Sequence, residues 1–438
     1  MIARILFFLL FPAGLLAQTG ISVDQLKVHA QILSDDKMEG RGIGTNGLVI
    51  AENYIKTEFA TAGLATLNRE QPYQHKLEAF VFARNEVHLT INEDKVFYRN
   101  VKLQSFPGKS SYTFDMLPLE SDSFTSNEIA TVSLSSKTRD IGFQLMNLRD
   151  KALKKGAGGI IINFQSKAHY LAQAGLYDVR TASQKQLIAR SVKSGSDFQV
   201  LYTYGVKTLD AGQVKLQLPS ETMPMNNVVG VVEGSEFPDE YIVIGAHFDH
   251  DGIIQKKIYN GANDNASGSS ILIELAKYFA QPEHQPKHSM VFVAFNAEER
   301  GLIGSKLFYG DWDKVNRPIK MMLNLDMVGR LDTYQDRYEA FCIADNDTKA
   351  LAIDVSKNSK FRPDWSRNSV KHPKRYYMRS DHYPFLSRGI PCLSILGSDS
   401  DKHYHQPSDD FKRLDFKGMK VVADYALAVL EAVDGQLD

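Results

Sequence analysis

Apolar residues recur at helical spacing near both ends of the chain. The spacing predicts helices over residues 23–33 and 48–60, and a long amphipathic helix over 419–433. Further apolar runs predict a helix over 267–280 and strands at 227–232, 241–246, 289–295, 321–326 and 391–396. Strands that alternate with helices are typical of an α/β fold, so we expect a mixed, largely parallel sheet with helices on both faces.

The middle of the chain has a different pattern. It contains short β-like runs and one helix-then-strand unit, with a helix over 144–157 followed by an apolar strand over 158–163. We therefore expect residues 89–222 to form an inserted, β-rich α+β domain. Residues 18–88 and 223–438 would then form the α/β domain that surrounds the insertion.

Composition narrows the class of protein. The 438 residues include 51 Lys and Arg against 52 Asp and Glu, so the chain lacks the basic excess of nucleic-acid-binding proteins. An apolar content of 43% and a charged content of 24% are those of a soluble globular chain. Cys342 and Cys392, the two cysteines, are too few for a disulfide scaffold or a thiolate zinc site. They could pair with each other or stay as buried free thiols.

The first 17 residues have the pattern of a secretory signal peptide. Arg4 precedes a short apolar run at 5–11, and the small residue Ala17 precedes a polar stretch. The run is shorter than the roughly 20 residues that a spanning helix needs. We therefore expect a secreted or periplasmic protein that begins at Gln18 and is not stably inserted in a membrane.

Metal-binding residue types follow the predicted strands of the C-terminal half. These residues are His247, Asp249, Glu298, Glu299, Asp326, His403 and His405. A Gly/Asn-rich loop that carries Asp264 lies between the strands at 241–246 and 289–295. Sites in open α/β sheets form beyond the carboxyl ends of the strands, so these side chains should meet there. Imidazoles and carboxylates without thiolates are typical ligands of hydrolytic Zn²⁺, with Co²⁺ or Mn²⁺ as substitutes.

The number and types of these candidate ligands fit a site for two metal ions. Asp264 could bridge the ions, with His247 and Asp326 on one ion and Glu299 and His405 on the other. Two divalent ions would be balanced by three carboxylates and a bridging hydroxide. On spacing alone, His403 competes with His405 for the last ligand position.

Two further carboxylates have predicted roles beside the metals. Glu298 is left over next to Glu299 and could act as the general base towards the bridging water. Asp249 lies two residues after His247 and could accept the N–H of its imidazole. Five further histidines of the C-terminal half are expected at the surface, in turns or around the site; they are His250, His284, His288, His372 and His382.

Five segments together strongly resemble the M28 family of zinc peptidases. They are His247-Phe248-Asp249, residues 261–268 (GANDNASG), residues 297–305 (AEERGLIGS), residues 324–327 (NLDM) and residues 404–409 (YHQPSD). The family includes secreted bacterial aminopeptidases, with glutamate carboxypeptidase and glutaminyl cyclase as relatives. The segment at 151–161 (KALKKGAGGII) resembles a protease-associated domain, which would account for the insertion.

The resemblance implies a dizinc peptidase fold and specific roles. It assigns metal ligation to His247, Asp264, Glu299, Asp326 and His405. It thereby chooses His405 over His403, makes Glu298 the catalytic base, and makes Tyr404 a candidate oxyanion donor. The expected function is exopeptidase cleavage of peptides, most simply at the N-terminal residue, by attack of a metal-bridging hydroxide.

Three alternatives stay open at this point. A carboxypeptidase would need a cationic pocket, which Arg375, Arg379 and Arg388 could provide. A glutaminyl cyclase works with one zinc, whereas both ligand sets are complete here. A non-catalytic binding protein on the same scaffold, as the transferrin receptor is, would be expected to lack ligands.

Overall fold

The computed structural model describes most of the chain. It covers residues 20–67, 70–83, 88–96, 101–105, 111–135, 141–169, 185–189, 199–207, 209–217, 221–315, 317–372, 375–398 and 401–436. The predicted signal peptide at 1–17 lies outside these residues. Within them, no helix combines the length and the apolar character needed to cross a membrane.

The five predicted helices begin and end within three residues of where the apolar spacing places them, and three further helices, over 303–314, 346–356 and 383–386, were not predicted. In chain order they are α1 (Val23–Leu33), α2 (Asn46–Thr61), α3 (Ile141–Lys154), α4 (Gly268–Phe279), α5 (Ile303–Lys314), α6 (Asn346–Ser356), α7 (Tyr383–Leu386) and α8 (Phe416–Gln436). Side-chain caps define several of the starts: Ser22 accepts a hydrogen bond from the Asp24 amide, and Thr45 accepts one from the Leu48 amide.

The strands divide between two large sheets and a short hairpin. They are β1 (Gln74–Ala83), β2 (His88–Ile91), β3 (Asp94–Val96), β4 (Val101–Ser105), β5 (Ser111–Pro118), β6 (Glu128–Leu134), β7 (Gly159–Phe164), β8 (Lys185–Ala189), β9 (Gln199–Tyr204), β10 (Gly212–Gln217), β11 (Glu221–Val232), β12 (Phe237–His247), β13 (Gly252–Ile254), β14 (Lys257–Tyr259), β15 (His288–Phe295), β16 (Ile319–Asp326), β17 (Asp332–Tyr334), β18 (Arg337–Ala344), β19 (Phe361–Asp364) and β20 (Cys392–Leu396).

The first sheet has the order β17-β18-β20-β16-β12-β15-β11-β1-β8, with β19 paired to β18. Its four central strands, from β20 to β15, run parallel. The strands next to this centre, β18 on one side and β11 on the other, pair antiparallel. The sheet is therefore mixed, as predicted, with its parallel part confined to the centre.

Both faces of the parallel centre are buried, which explains why its strands are apolar at nearly every position. In β12, Ile242 and Ile244 pack with apolar residues of α1, α2, α4 and α8. The alternate residues Tyr241 and Val243 pack with residues of α5 and α7 on the opposite face. The period-two alternation thus places helices on both faces of the sheet.

Most of the strands between residues 88 and 217 form the second sheet. Its order is β3-β2-β10-β5-β6-β7-β9-β4, with apolar side chains buried on both faces and α3 packed on one of them. Strand β8 is the exception, because it pairs antiparallel with β1 and so belongs to the first sheet. That residues 89–222 form a protease-associated-like insertion stays a prediction.

The two cysteines are free thiols. Both side chains are fully buried, Cys342 in β18 and Cys392 in β20. Cys342 packs in the core on the face of α4 and α8, whereas Cys392 packs in the core on the face of α5. The sequence left open whether the cysteines pair or stay as buried free thiols, and in the fold they are buried free thiols.

A buried histidine at the start of α7 should make the stability of the fold depend on pH. Burial lowers the pKa of His382 to about 4, and its Nε2 lies 3.2 Å from the Tyr377 carbonyl oxygen. The unfolded chain takes up a proton near pH 6.5, whereas the folded chain does not until about pH 4. The free energy of unfolding should therefore fall by about 3 kcal/mol between these pH values.

Denaturant unfolding of wild type and His382→Gln from pH 7.5 to 4.5 checks this expectation. Gln can keep the hydrogen bond to the carbonyl but does not titrate, so the variant should lose less stability on acidification. His284→Gln, at a part-exposed ring, serves as the control and should follow wild type. Parallel pH curves for wild type and His382→Gln would contradict the assignment.

Candidate metal centre

The predicted ligands meet at the carboxyl end of the parallel strands. His247 is the last residue of β12, Asp326 is the last residue of β16, and Glu299 follows β15. Asp264 lies in the tight turn before α4, and His405 lies in the segment after β20. Their donor atoms form two groups, each within 4.8 Å, that share Asp264.

The first group consists of His247, Asp264 and Asp326. The Nε2 atom of His247 lies 3.3 Å from Oδ1 of Asp264 and 3.4 Å from Oδ1 of Asp326. All three side chains are buried. Ligand atoms about 3.3 Å apart are what a tetrahedral ion with bonds of about 2.0–2.1 Å requires.

The second group uses the other oxygen of the shared carboxylate. The Nε2 atom of His405 lies 3.2 Å from Oδ2 of Asp264 and 3.2 Å from Oε2 of Glu299. Burial alone would raise the pKa of Asp264, but its contacts with His247 and His405 hold that pKa well below its ordinary value. Asp264 is therefore ionised and presents one oxygen to each group.

Each imidazole is oriented through its second ring nitrogen. Nδ1 of His405 lies 3.1 Å from a carboxylate oxygen of Asp251, a residue that the sequence did not single out. Nδ1 of His247 lies 3.1 Å from the backbone oxygen of Asp249. Such contacts fix which nitrogen faces the metal.

Asp249 differs from its expected contact. Its carboxylate lies 3.8 Å from the His247 ring and instead accepts the backbone amides of Glu298 and Glu299 at 3.0 and 3.3 Å. The carboxylate therefore positions the loop that carries both glutamates, while the Asp249 carbonyl contacts the imidazole. Extended-strand geometry predicted that Asp249 lies near the His247 ring, but not that its backbone oxygen makes the closer contact.

Glu298 lies beside the two groups rather than in either of them. Desolvation raises its pKa well above the ordinary value, opposed by the His247 ring and reinforced by Glu299 and Asp381. Asp381 follows Ser380 near α7, is fully buried, and has a pKa raised to about 7 by that burial. Asp381 had no predicted role, because no predicted strand leads to it.

Tyr404 and His403 lie in the same segment as His405. The Tyr404 ring is 46% exposed, and its centroid lies 4.0 Å from that of His405. His403 lies apart from both groups and contacts the Ser408 hydroxyl through Nδ1 at 2.8 Å. Of the two competing histidines, the structure brings His405 into the centre.

His250 is also part of the second group, which the sequence analysis did not expect. Its ring is fully buried, and Nδ1 lies 2.9 Å from Oε1 of Glu299 and 3.9 Å from Oδ2 of Asp264. The spacing of three residues after His247 gave no sign of this, because His250 lies beyond the end of β12, in an isolated parallel bridge with Gly42.

Three non-glycine residues adopt left-handed backbone conformations at the centre. Ala297, Met327 and His405 have φ angles of 59°, 57° and 52°. Each is a site residue or adjoins one in the chain. Since this conformation costs about 1–2 kcal/mol at a non-glycine residue, the surrounding contacts must hold it in place.

Arg41 ties the loops beneath the centre together. Its fully buried guanidinium donates hydrogen bonds to the backbone oxygens of Leu33, Phe248, Asn260 and Gly261. The cation thereby links the end of α1 to the segments that follow β12 and precede Asp264. It also brings a permanent positive charge near several buried carboxylates.

Asp409 fixes the turn that carries the shared carboxylate. Its two oxygens accept the backbone amides of Asn263 and Asp264 at 2.9–3.1 Å. Arg330 donates to the same carboxylate at 2.7 Å from its other side. The segment after β20 is therefore joined to the turn by charge-assisted hydrogen bonds.

Comparison with known proteins agrees with this geometry. Residues 227–430 match peptidase family M28, and this span holds every residue of both groups. Through this region the chain is similar to the M28 peptidases.

Curated relatives cover part of the chain. A probable zinc metalloprotease of Pyrenophora tritici-repentis is 29% identical over an alignment of 224 positions that covers 43% of this chain and 48% of that protein. A glutamate carboxypeptidase 2 homolog of Caenorhabditis elegans is 28% identical over an alignment of 229 positions that covers 50% of this chain and 27% of that protein. The chain thus spans half or less of the length of these two relatives.

Solved structures share the fold over nearly the whole chain. An aminopeptidase from Aneurinibacillus sp. strain AM-1 superposes with a TM-score of 0.53 at 19% identity, covering 94% of this chain and 93% of that one. A zinc aminopeptidase from Bacillus subtilis gives a TM-score of 0.51 at 17% identity, covering 94% and 95%. At these identities the likeness establishes the α/β fold.

Asp409→Asn should weaken metal binding without removing a ligand. The amide would place an N–H donor against groups that themselves donate, so the Asp264 turn would lose part of its support. We expect zinc affinity to fall about 10–100-fold, measured by competition with a chromogenic chelator. Asp410→Asn, at the adjacent and more exposed carboxylate, should bind zinc as wild type does. Equal affinity in a folded Asp409→Asn would exclude this role.

Proposed function

We propose that the chain is an exported, zinc-dependent exopeptidase that removes amino-terminal residues from peptides. The observation that carries the proposal is the geometry of Asp264. Each of its carboxylate oxygens faces a separate group of imidazole and carboxylate donors. Such an arrangement suits two divalent ions held a short distance apart, as in two-metal hydrolases.

The donors suit zinc. One ion would be held by His247, Asp264 and Asp326, and the other by Asp264, Glu299 and His405. When bound, the ions would supply Lewis acidity towards the scissile carbonyl and activate water for attack. The remaining steps depend on side chains of the protein.

Glu298 is the proton carrier of the proposed reaction. Its carboxylate lies beside both ligand groups without belonging to either, so it is free to take a proton from the attacking water. The same carboxyl group would return the proton to the departing amine. Asp249 supports this role by holding the backbone amide of Glu298.

Tyr404 is the proposed donor to the developing oxyanion. Its hydroxyl can donate a hydrogen bond, and its ring packs against that of His405 at the edge of the centre. A donor in this place would stabilise charge that forms only as the water attacks.

The charge of the centre favours an amino terminus as the substrate end. Asp251, Glu298 and Asp381 are carboxylates beyond the three that would ligate metal. Two of the arginines considered for a carboxylate pocket pack on aromatic rings: Arg379 lies 5.3 Å from the Tyr376 ring and Arg388 lies 4.7 Å from the Tyr309 ring. An acidic centre attracts an α-ammonium group more than a free carboxylate.

Export is supported by the signal-peptide pattern of residues 1–17. Expression of the full-length chain in a bacterial host, followed by fractionation and N-terminal sequencing, tests it. A mature chain that begins at Gln18 outside the cytoplasm is the expected result.

Glu298→Gln should separate metal binding from turnover. We expect it to bind zinc as wild type does while kcat falls by at least about 100-fold, because Gln cannot accept the proton. Metal content by mass spectrometry and peptide hydrolysis are measured on the same sample. Glu283→Gln, at an exposed carboxylate, is the control and should be fully active. Normal turnover in zinc-loaded Glu298→Gln would overturn the assignment.

Substrate preference is tested with aminoacyl anilides, N-blocked dipeptides and C-blocked dipeptides. We expect hydrolysis of the anilides and the C-blocked dipeptides, abolished by a chelator and restored by zinc. Hydrolysis that requires a free carboxylate would instead support a carboxypeptidase. Cyclisation of N-terminal glutamine would support a glutaminyl cyclase, and zinc binding without any turnover would support a binding protein.

A further inference from the structure

His250 stands out among the residues that the proposed function does not use. Its imidazole is fully buried, and its polar contacts within the described part of the chain are with Glu299 and Asp264. The Nε2 atom on the other side of the ring has no hydrogen-bond partner there. Polar interactions of the ring therefore run through Nδ1, which faces the second ligand group.

The donor atoms around this group have the spacing of a four-ligand site. Nδ1 of His250 lies 2.9 Å from Oε1 of Glu299 and 3.9 Å from Oδ2 of Asp264, and Nε2 of His405 lies 3.2 Å from Oε2 of Glu299 and 3.2 Å from the same Asp264 oxygen. A tetrahedral zinc with bonds of about 2.0–2.1 Å separates its ligand atoms by about 3.3 Å. The two histidines face different oxygens of Glu299, but one donor atom from each of the four residues lies within 4.8 Å of the others, which is close enough for one ion.

The backbone holds the His250 ring in this place. Its amide donates to the Arg41 carbonyl oxygen at 3.2 Å. Gly261, with a φ of +55°, packs so closely that an added Cβ would lie 2.5 Å from Cγ of the ring. The ring thus faces the carboxylates through the way the chain is packed, and not through a flexible surface position.

We propose that His250 is a fourth protein ligand, through Nδ1, to the ion held by Asp264, Glu299 and His405. The inference rests on the proposed two-zinc function and refines it. The two ions would then be unequal: this one with four protein ligands, and the one at His247, Asp264 and Asp326 with three. Zinc with four protein ligands is typically closed, whereas zinc with three keeps an open position for water or substrate.

The alternative is that His250 only donates a hydrogen bond to a metal ligand and does not bind the metal itself. In that case Nδ1–H would donate to Glu299 and orient it, and the ring would not touch the metal. The two roles differ in what a replacement side chain must supply. The amide of Asn can place a donor near the position of Nδ1, but it is a poor zinc ligand, whereas Ala supplies neither a donor nor a ligand.

The test compares His250→Asn and His250→Ala with wild type by competitive zinc titration. If His250 is a ligand, both variants should hold one of the two ions more than about 100-fold more weakly, beyond the usual loss of a supporting hydrogen bond. His284→Asn, at the ring stacked on Tyr278, is the matched control and should retain two tight ions. Near-normal affinity in His250→Asn with a loss in His250→Ala would establish the hydrogen bond and overturn the ligand.

X-ray absorption of the zinc-loaded protein gives a second, independent reading. Wild type should show three imidazoles for every two zinc ions, and His250→Asn should show fewer. Two imidazoles in wild type would overturn the proposal. A wild-type chain that binds fewer than two zinc ions would instead count against the proposed function itself, so the two failures are distinguishable. Circular dichroism of the metal-free variants confirms that they are folded.

Discussion

The concentration of negative charge at one end of the parallel strands is the constraint on which the rest of the structure depends. Carboxylates gather there from separate segments of the chain; they are Asp249, Asp251, Asp264, Glu298, Glu299, Asp326 and Asp381. Burying like charges together is costly unless cations and hydrogen-bond donors compensate for them. Imidazoles, the Arg41 guanidinium and backbone amides supply part of that compensation, and two divalent ions would supply the remainder. The proposed metal ions would thus make this acidic pocket more favourable.

Two arginines, the buried Arg41 and the part-buried Arg330, connect the loops that shape this pocket. Arg41 gathers four backbone oxygens beneath it, and Arg330 with Asp409 holds the turn of Asp264 from the side. Guanidinium groups suit this work because their charge persists in a buried site and their donors point in fixed directions. The left-handed residues next to the glutamates and to Asp326 then set the final direction of the side chains. Hydrogen bonds to the backbone, more than contacts between the ligands themselves, position the centre.

Local patterns in the sequence predicted the strand ends and the candidate ligands, and the M28 resemblance chose His405 over His403. The parallel strands are apolar throughout and end where charged residues begin, so the strand ends could be placed from the chain alone. Contacts between distant parts of the chain could not be predicted in the same way. His250 comes three residues after the end of β12, where it pairs with the distant residue Gly42 in an isolated bridge and faces the candidate metal centre. Arg41 acts on residues more than 200 positions away, which no local pattern reveals. Strand β18 was not predicted, since its first residues are partly exposed and polar.

The unpaired thiols give this fold a property of practical use. Because Cys342 and Cys392 lie in cores on opposite faces of one sheet, assembly of the chain requires no oxidation step, and the protein can be handled under reducing conditions. Burial raises the pKa of both thiols well above the ordinary value, so neither reacts while the sheet is closed. The rate at which each thiol is alkylated would therefore report how often the core on its face of the sheet opens to solvent. Comparing the two rates with and without zinc would show whether zinc stabilises one face more than the other.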